Sequence, residues 1–430
     1  MKKKISLILD NPTRDLDYIV LIGKHLVKNN CEVTIVPSNL RHFELFHLKP
    51  DYVLYPHQRE SSAKEINILK NAGIDIGVME TEQHVDEYFF TSFQTPLNKK
   101  YLEDPIHIFS WGDNFSQIVL NNNIYSSEQV INVGNPRFDL YFHKEKVKKT
   151  IALLIGTTFQ IANPKYLGKK NSKKAYLNEN MSEQDYEEFF QTHKEAMRIL
   201  IELINSNFLE LNSGIHLRPH PYEDENIYKN KLKHINIDNS FSIGDHLSHA
   251  SSYLHYHSVS STDSAVMQIP TINLSWFPKN KRLHDSTEFM KRTSYQPSNK
   301  YELKEIIQEV RKGNLQPKLK IDDKIFEQYF YRIDGLASKR IAEHILNNTT
   351  HKVNQYKNPE IIFNNLKKLN ELVKHKIAVN RWKKTKKYFG ISEIQDSIKK
   401  TTNPNVNVDM TSYINNIQLA SIKITKKFDI

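Results

Sequence analysis

The stretch IHLRPHPYEDE, residues 215–225, ends a strand-like run in a cation and an imidazole held between two prolines, Arg218-Pro219-His220-Pro221. Each proline fixes its own φ and steers the residue before it toward extended geometry, so a stiff turn presents His220 at a strand end. Such a turn suits a ligand contact. A second group, Ser260, Ser261 and Thr262 followed by Asp263, precedes a predicted helix. Hydroxyls and backbone N–H groups at a helix start converge on an anion, although the same run also makes an ordinary N-cap. His255 and His257 lie two apart on a predicted strand and share a face, a spacing that can ligate a metal. No cysteine or further histidine motif stands near them, so a half-buried strand pair is the expected reading and no metal is expected.

The elements that must carry these residues alternate along the chain. KISLILD, CEVTIVP, DYVLYP, IDIGVME, IHIFSWG and QVINVG read as strands, and TRDLDYIVLIGKHLVKNN as the first helix. A second set begins at KKTIALLIGTTF, residues 148–159. It continues through a long helix over about 183–206, SGIHLRPHP, SSYLHYH, a short helix after Thr262, and PTINLSW. Strands alternating with helices predict parallel sheets covered on both faces. The polar stretch 142–150 is the predicted linker. The expected architecture is two doubly wound α/β domains, 1–144 and 145–350, with the amphipathic stretch 322–348 closing the second and a basic helical tail over 351–430. Ligands of open α/β sheets bind at the carboxyl ends of strands, so two such domains facing a cleft would turn His220 toward it. No GxGxxG follows the first strand and no GxxxxGK[ST] occurs, which disfavours dinucleotide and nucleoside-triphosphate chemistry.

Bulk properties agree. A chain of 430 residues exceeds one compact core, and no apolar run approaches the roughly 20 residues that span a bilayer. The apolar stretch after Met1-Lys2-Lys3-Lys4 stops at Asp10, too short for a signal peptide, and the single cysteine, Cys31, permits no intramolecular disulfide. A cytoplasmic protein is expected. Residues 351–430 carry 16 Lys and Arg against 6 Asp and Glu, so ten of the eleven net positive charges lie there. A nearly neutral body argues against nucleic acid as partner. Within 364–390, Leu366, Leu369, Leu372, Val373, Ile377 and Trp382 form an apolar stripe in a cationic surround, with Tyr388 and Phe389 following. This pattern fits an anionic membrane surface, with the aromatic residues at the headgroup boundary, or a stripe packed onto the body.

NPTRDLDYIVLIGKHLVKNNCEVTIVP (11–37), WGDN (111–114), VGNPRFDL (133–140), LRPHPYED (217–224) and SSTDSAVMQIPTINL (260–274), in this order, resemble the bacterial surface-carbohydrate biosynthesis proteins. That group is related to GT-B glycosyltransferases that use CMP-activated 3-deoxy-octulosonate (Kdo) in capsule and O-antigen assembly. The resemblance spans roughly residues 4–350. It implies a GT-B fold, a CMP-sugar donor, a lipid-linked or oligosaccharide glycan acceptor, no cofactor and no metal in the active site. It also places the chain in the cytoplasm, on the inner face of the membrane if the tail attaches.

The resemblance further implies roles. Arg218 and His220 match the motif that meets the donor phosphate, where a cation or hydrogen-bond donor stabilises charge on the leaving group. Ser260, Ser261 and Thr262 match the run that grips the same phosphate, and Asp263 stands where many relatives carry a ribose-binding acid. Transfer needs a carboxylate base, and a retaining mechanism a second as nucleophile. Glu82 matches the second acid of an acid-acid-glycine turn, although Thr81 and Gln83 replace the first acid and the glycine; Glu80 is next in line. Asp185 is the candidate nucleophile, with an exposed helix start as its alternative. Arg137 would line the acceptor side, and Trp111 and Trp276 are read as packing residues. UDP-sugar transferases or epimerases share the architecture, and a non-catalytic scaffold is the alternative from another class.

Overall fold

The computed structural model describes residues 2–57, 60–81, 107–121, 125–142, 147–165, 173–174, 177, 182–206, 208–209, 214–240, 242–279, 288–349, 378–380, 382–383, 389–400, 406–410, 413–414, 417–418 and 421–426. The chain divides into two compact units, Met1–Lys144 with Phe326–Ile430, and Glu145–Ile325.

The first unit is built on six parallel strands, β1 (Lys4–Leu9), β2 (Glu32–Pro37), β3 (Tyr52–Tyr55), β4 (Asp75–Val78), β5 (His107–Ser110) and β6 (Val130–Asn132), in the spatial order β2-β1-β3-β4-β5-β6. Strands such as KISLIL and EVTIVP are apolar with little alternation, as a sheet covered on both faces demands. The helix Pro12–Lys28 starts at a proline, whose missing N–H costs nothing there, and buries Leu16, Ile19, Val20 and Ile22 against β1 and β2.

Residues 326–349 belong to this unit, not to the second, contrary to the expectation that they close the second domain. Two sequence motifs explain why. Gly112 of WGDN packs so closely that a Cβ would lie 2.5 Å from the Tyr329 carbonyl carbon, and Gly134 of VGNPRFDL, at φ +86°, faces the Arg332 carbonyl oxygen. Asp139 of the same motif accepts the Ala337 and Ser338 N–H groups at 3.0 and 2.6 Å, capping the helix Ala337–Asn348. Arg340 Nε donates to the Val133 carbonyl at 2.7 Å, and Ile341 and Ile345 enter the core beside the first helix.

The C-terminal segment also departs from the expected helical appendage. The helix Ile391–Lys400 packs Ile394 and Ile398 into the first unit's core. β13 (Val406–Met410) precedes a short hairpin, β14 (Tyr413–Ile414) with β15 (Ile417–Gln418). β16 (Ile422–Lys426) then runs antiparallel to β2, with β13 outside it. In SIKITKK the isoleucines stand two apart with a lysine between them, so Ile422 and Ile424 face the core while Lys423 pairs with Glu32 at 2.8 Å. Trp382 and Phe389 are buried, ring against ring at 5.3 Å, rather than offered to a headgroup boundary. Leu366, Leu369, Leu372, Val373, Ile377 and Tyr388 lie outside the described residues.

The second unit carries β7 (Leu153–Gly156), β8 (Ile215–Arg218), β9 (Asn236–Ile237), β10 (Tyr253–His255), β11 (Thr271–Asn273) and β12 (Ser294–Tyr295), all parallel, in the order β12-β11-β10-β7-β8-β9. Counted along the chain within this unit, that is the dinucleotide-fold order 3-2-1-4-5-6, and it reverses between β7 and β10. The helices Glu183–Asn205 and Lys300–Lys312 bury Leu200, Leu203, Leu303 and Ile307 in its core.

Candidate functional site

At the reversal in the second unit, the carboxyl ends of β7 and β10 lie side by side with β8 beyond β7, the place where open α/β sheets take ligands. β7 ends at Gly156, where only a glycine leaves room for Tyr253 of β10: a Cβ there would lie 2.1 Å from the phenolic oxygen. That oxygen is 2.5 Å from Ser260 Oγ, which is 2.6 Å from Ser258 Oγ. Burial raises the Tyr253 phenol, while the two serine hydroxyls and the Arg218 charge pull it down. Three hydroxyls therefore gather after β10, within electrostatic reach of the guanidinium that ends β8.

Arg218 and His220 are half-buried. The Tyr222 N–H donates to His220 Nδ1 at 3.2 Å, which puts the ring proton of the neutral imidazole on Nε2 and makes that atom the donor. The turn itself is tied to β7. The His220 N–H donates to Thr157 Oγ1 at 3.3 Å, and Thr157 donates to the Glu223 carboxylate at 2.9 Å. Glu223 is fully buried and also accepts the Phe159 N–H at 2.7 Å and the Tyr228 hydroxyl. Burial pushes its carboxyl up to about 7 against those stabilising donors.

The serine-threonine run differs from both of its sequence readings. The helix Ser260–Val266 follows Val259, whose apolar side chain makes no cap bond. The N–H groups of Ser261 and Thr262 bond the Ser258 and Val259 carbonyls at 3.1 and 3.0 Å, and that of Ser260 bonds Ser258 Oγ, so the expected convergence of unengaged N–H groups does not form. Ser261, Thr262 and Asp263 are buried, with Thr262 Oγ1 turned back to the Val259 carbonyl at 2.8 Å. Ser260 alone of the run is half-buried and stands with the hydroxyl cluster. The tight turn follows His257, which sits in the left-handed region at φ +46°.

His255 and His257 accordingly do not share a strand face. His255 ends β10, fully buried, its Nδ1 accepting the Ser258 N–H at 3.1 Å and its pKa lowered to about 3 by burial; His257 lies beyond the strand. Among the described residues no group of three histidine, cysteine or acidic side chains could hold a metal.

Glu82 lies outside the described residues. Glu80 is buried at the end of β4, where Oε1 accepts the Thr81 N–H at 3.0 Å; Thr81 Oγ1 accepts from Arg14, itself paired with Asp15 at 2.6 Å. Arg137 is buried in the first unit, its guanidinium over the Phe138 ring at 5.8 Å. Asp185 sits in the first turn of its helix, its N–H donating to the capping Ser182 hydroxyl at 3.1 Å, the local role that the acid-rich sequence also allowed. Trp111 is buried and packs on Phe330; Trp276 packs on the second unit's core. Thr157, Tyr253 and Ser258 were not singled out from sequence. The signal available for the first was a Gly-Thr-Thr step closing an apolar run.

No protein-family model matches the chain, and no curated protein matches it. Solved structures do. The UDP-GlcNAc 2-epimerase from Methanocaldococcus jannaschii is 14% identical, with a TM-score of 0.50 over 80% of this chain and 100% of that one. The wall teichoic acid polymerase TagF is 10% identical, with a TM-score of 0.52 over 81% of this chain and 89% of that one. At such identities the likeness shows the fold, an α/β chain of two Rossmann-like parallel-sheet units of GT-B type.

Proposed function

We propose that the second unit binds a nucleotide sugar across the carboxyl ends of β7, β8 and β10, and that the chain is a transferase or epimerase of surface-carbohydrate assembly. One observation carries this reading: Arg218 and the His220 Nε2 donor at the end of β8 and the Ser260 hydroxyl after β10 belong to the carboxyl ends of the two strands that flank β7, beside the reversal of strand order. Cleaving a sugar–phosphate bond builds charge on the leaving oxygen, and a fixed cation with oriented donors lowers the barrier because nothing must reorganise as that charge appears. The similar epimerase is named for UDP-GlcNAc, which supports a UDP-linked donor over CMP-linked Kdo, and the similar polymerase is named for wall teichoic acid, which supports a surface polymer as the product. A transferase would add a glycan acceptor and a base; Glu82 and Glu80 remain the candidates for that base.

The test is incubation of the full chain with UDP-GlcNAc and with CMP-Kdo, following free nucleotide and epimerised sugar. UDP release or an epimer is expected. CMP release from CMP-Kdo alone would restore the CMP-donor reading, and no turnover together with no nucleotide binding would leave the scaffold.

A further inference from the structure

The turn that carries His220 is held by an acid from the same motif. Both main-chain groups of His220 lead to Glu223. Its N–H reaches the carboxylate through the Thr157 hydroxyl, and its carbonyl accepts the Glu223 N–H at 2.8 Å. The carboxylate in turn gathers donors from two further places, the Phe159 N–H in the loop after β7 and the Tyr228 hydroxyl on the helix Glu225–Lys231. A fully buried acid needs hydrogen-bond partners. This one takes them from the loop after β7 and the following helix, and so joins both to the turn after β8 at a single point.

We propose that Glu223 is the positioning residue of the nucleotide site: its carboxylate, through Thr157, holds the His220 N–H while its own main-chain N–H holds the His220 carbonyl, and the two together fix where the Arg218 and His220 side chains stand relative to the end of β7. The ligand that profits rests on the reading above, but the lock itself does not. Ionised, the carboxylate accepts all three donors. Protonated, it becomes a donor itself, and one of the Thr157, Tyr228 and Phe159 groups loses its acceptor. The titratable side chain that faces it is Tyr228, itself raised well above the usual phenol range by burial. From the loop after β7 it meets Thr157 and the Phe159 main chain, and from its own turn the main chain of His220. Because burial holds Glu223 at about 7, the lock loosens as pH falls below neutrality.

The experiment reads His220 directly. The full chain carrying isotope-labelled histidine is followed by NMR from pH 5.5 to 8.5, with the His220 signal assigned by its loss in His220→Gln. Wild type should show the Nε2–H tautomer at pH 8 and an inflection near pH 7 contributed by Glu223. Glu223→Gln keeps the shape of the side chain and should lose that inflection and mix the tautomers. Thr157→Val should do the same, while Tyr228→Phe, which removes a donor but not the link to His220, should keep the inflection. Calorimetry with UDP and with CMP runs alongside, and tenfold or weaker binding is expected for Glu223→Gln and Thr157→Val against less than threefold for Tyr228→Phe. An unchanged His220 signal and pH course in folded Glu223→Gln overturns the lock. If Glu223→Gln misfolds, Thr157→Val decides by the same criterion. A wild type that binds neither nucleotide, yet whose His220 signal responds as described, overturns the nucleotide reading and leaves the lock standing.

Discussion

His220 donates from Nε2 only because Tyr222 N–H occupies Nδ1. His220→Ala should therefore lower turnover by about 10²-fold, the scale of losing one transition-state donor, with the melting temperature nearly unchanged because the ring is half-buried. Steady-state rates on the active donor check this, and a folded variant with full turnover would remove His220 from the reaction. Gly156→Ala should act more bluntly. Its Cβ has no room beneath the Tyr253 hydroxyl, so Tyr253 must swing away from Ser260, weakening nucleotide binding and stability together; calorimetry and thermal melts on the one variant measure both. The turn that carries Arg218 and His220 at the end of β8 was legible in sequence because two prolines announce it. Thr157 and Glu223 were not, since their meaning arises from a hydrogen bond across 66 residues that no local pattern encodes. The serine run misled because Ser-Thr-Asp favours a cap by type, whereas the left-handed turn at His257 moved the helix start to Val259 and buried two of the three hydroxyls.

Elements were readable where periodicity was strong and misplaced where the partner lay far away in sequence. Alternating strands and helices fixed two parallel sheets, yet the amphipathic stretch 322–348 gave no hint that it returns to the first unit. That choice is made by Asp139 capping its helix and by glycines at 112 and 134 leaving room for its approach. The tail's charge likewise drew attention from SIKITKK, whose period of two is a strand signature with one apolar face. Trp382→Ala and Ile422→Ala should each cost about 2–5 kcal/mol, the range for emptying a core position, and lower the first unit's melting transition. Calorimetric melting separates this from a surface role: a shift of under one degree for both would mean that the tail adds nothing to the core.

Acid sensitivity belongs to the whole molecule. Burial lowers His25 and His107 in the first unit to about 4, and His193 and His255 in the second to about 3, from an ordinary 6.5. In that window the unfolded chain binds more protons than the folded one, so stability is full above about pH 6.5 and falls as pH drops toward the folded values. Glu223 works in the opposite sense, its contribution declining as pH rises from 4.5 toward 7, but it is one group against four. Each histidine adds a slope of up to about 1.4 kcal/mol per pH unit, so urea midpoints should fall steeply from pH 6.5 to 5 and stay level from 7 to 8. A flat profile to pH 5 would contradict the burial of these rings.

The most direct test of the account is calorimetric titration of the full chain with UDP and with CMP, on wild type and on Arg218→Ala. The account predicts one nucleotide per chain for wild type, UDP the tighter, and at least tenfold weaker binding once the guanidinium at the end of β8 is gone. Equal affinity in the two proteins, or a nucleotide bound by neither, would contradict the claim that the second unit's strand reversal is a nucleotide-sugar site.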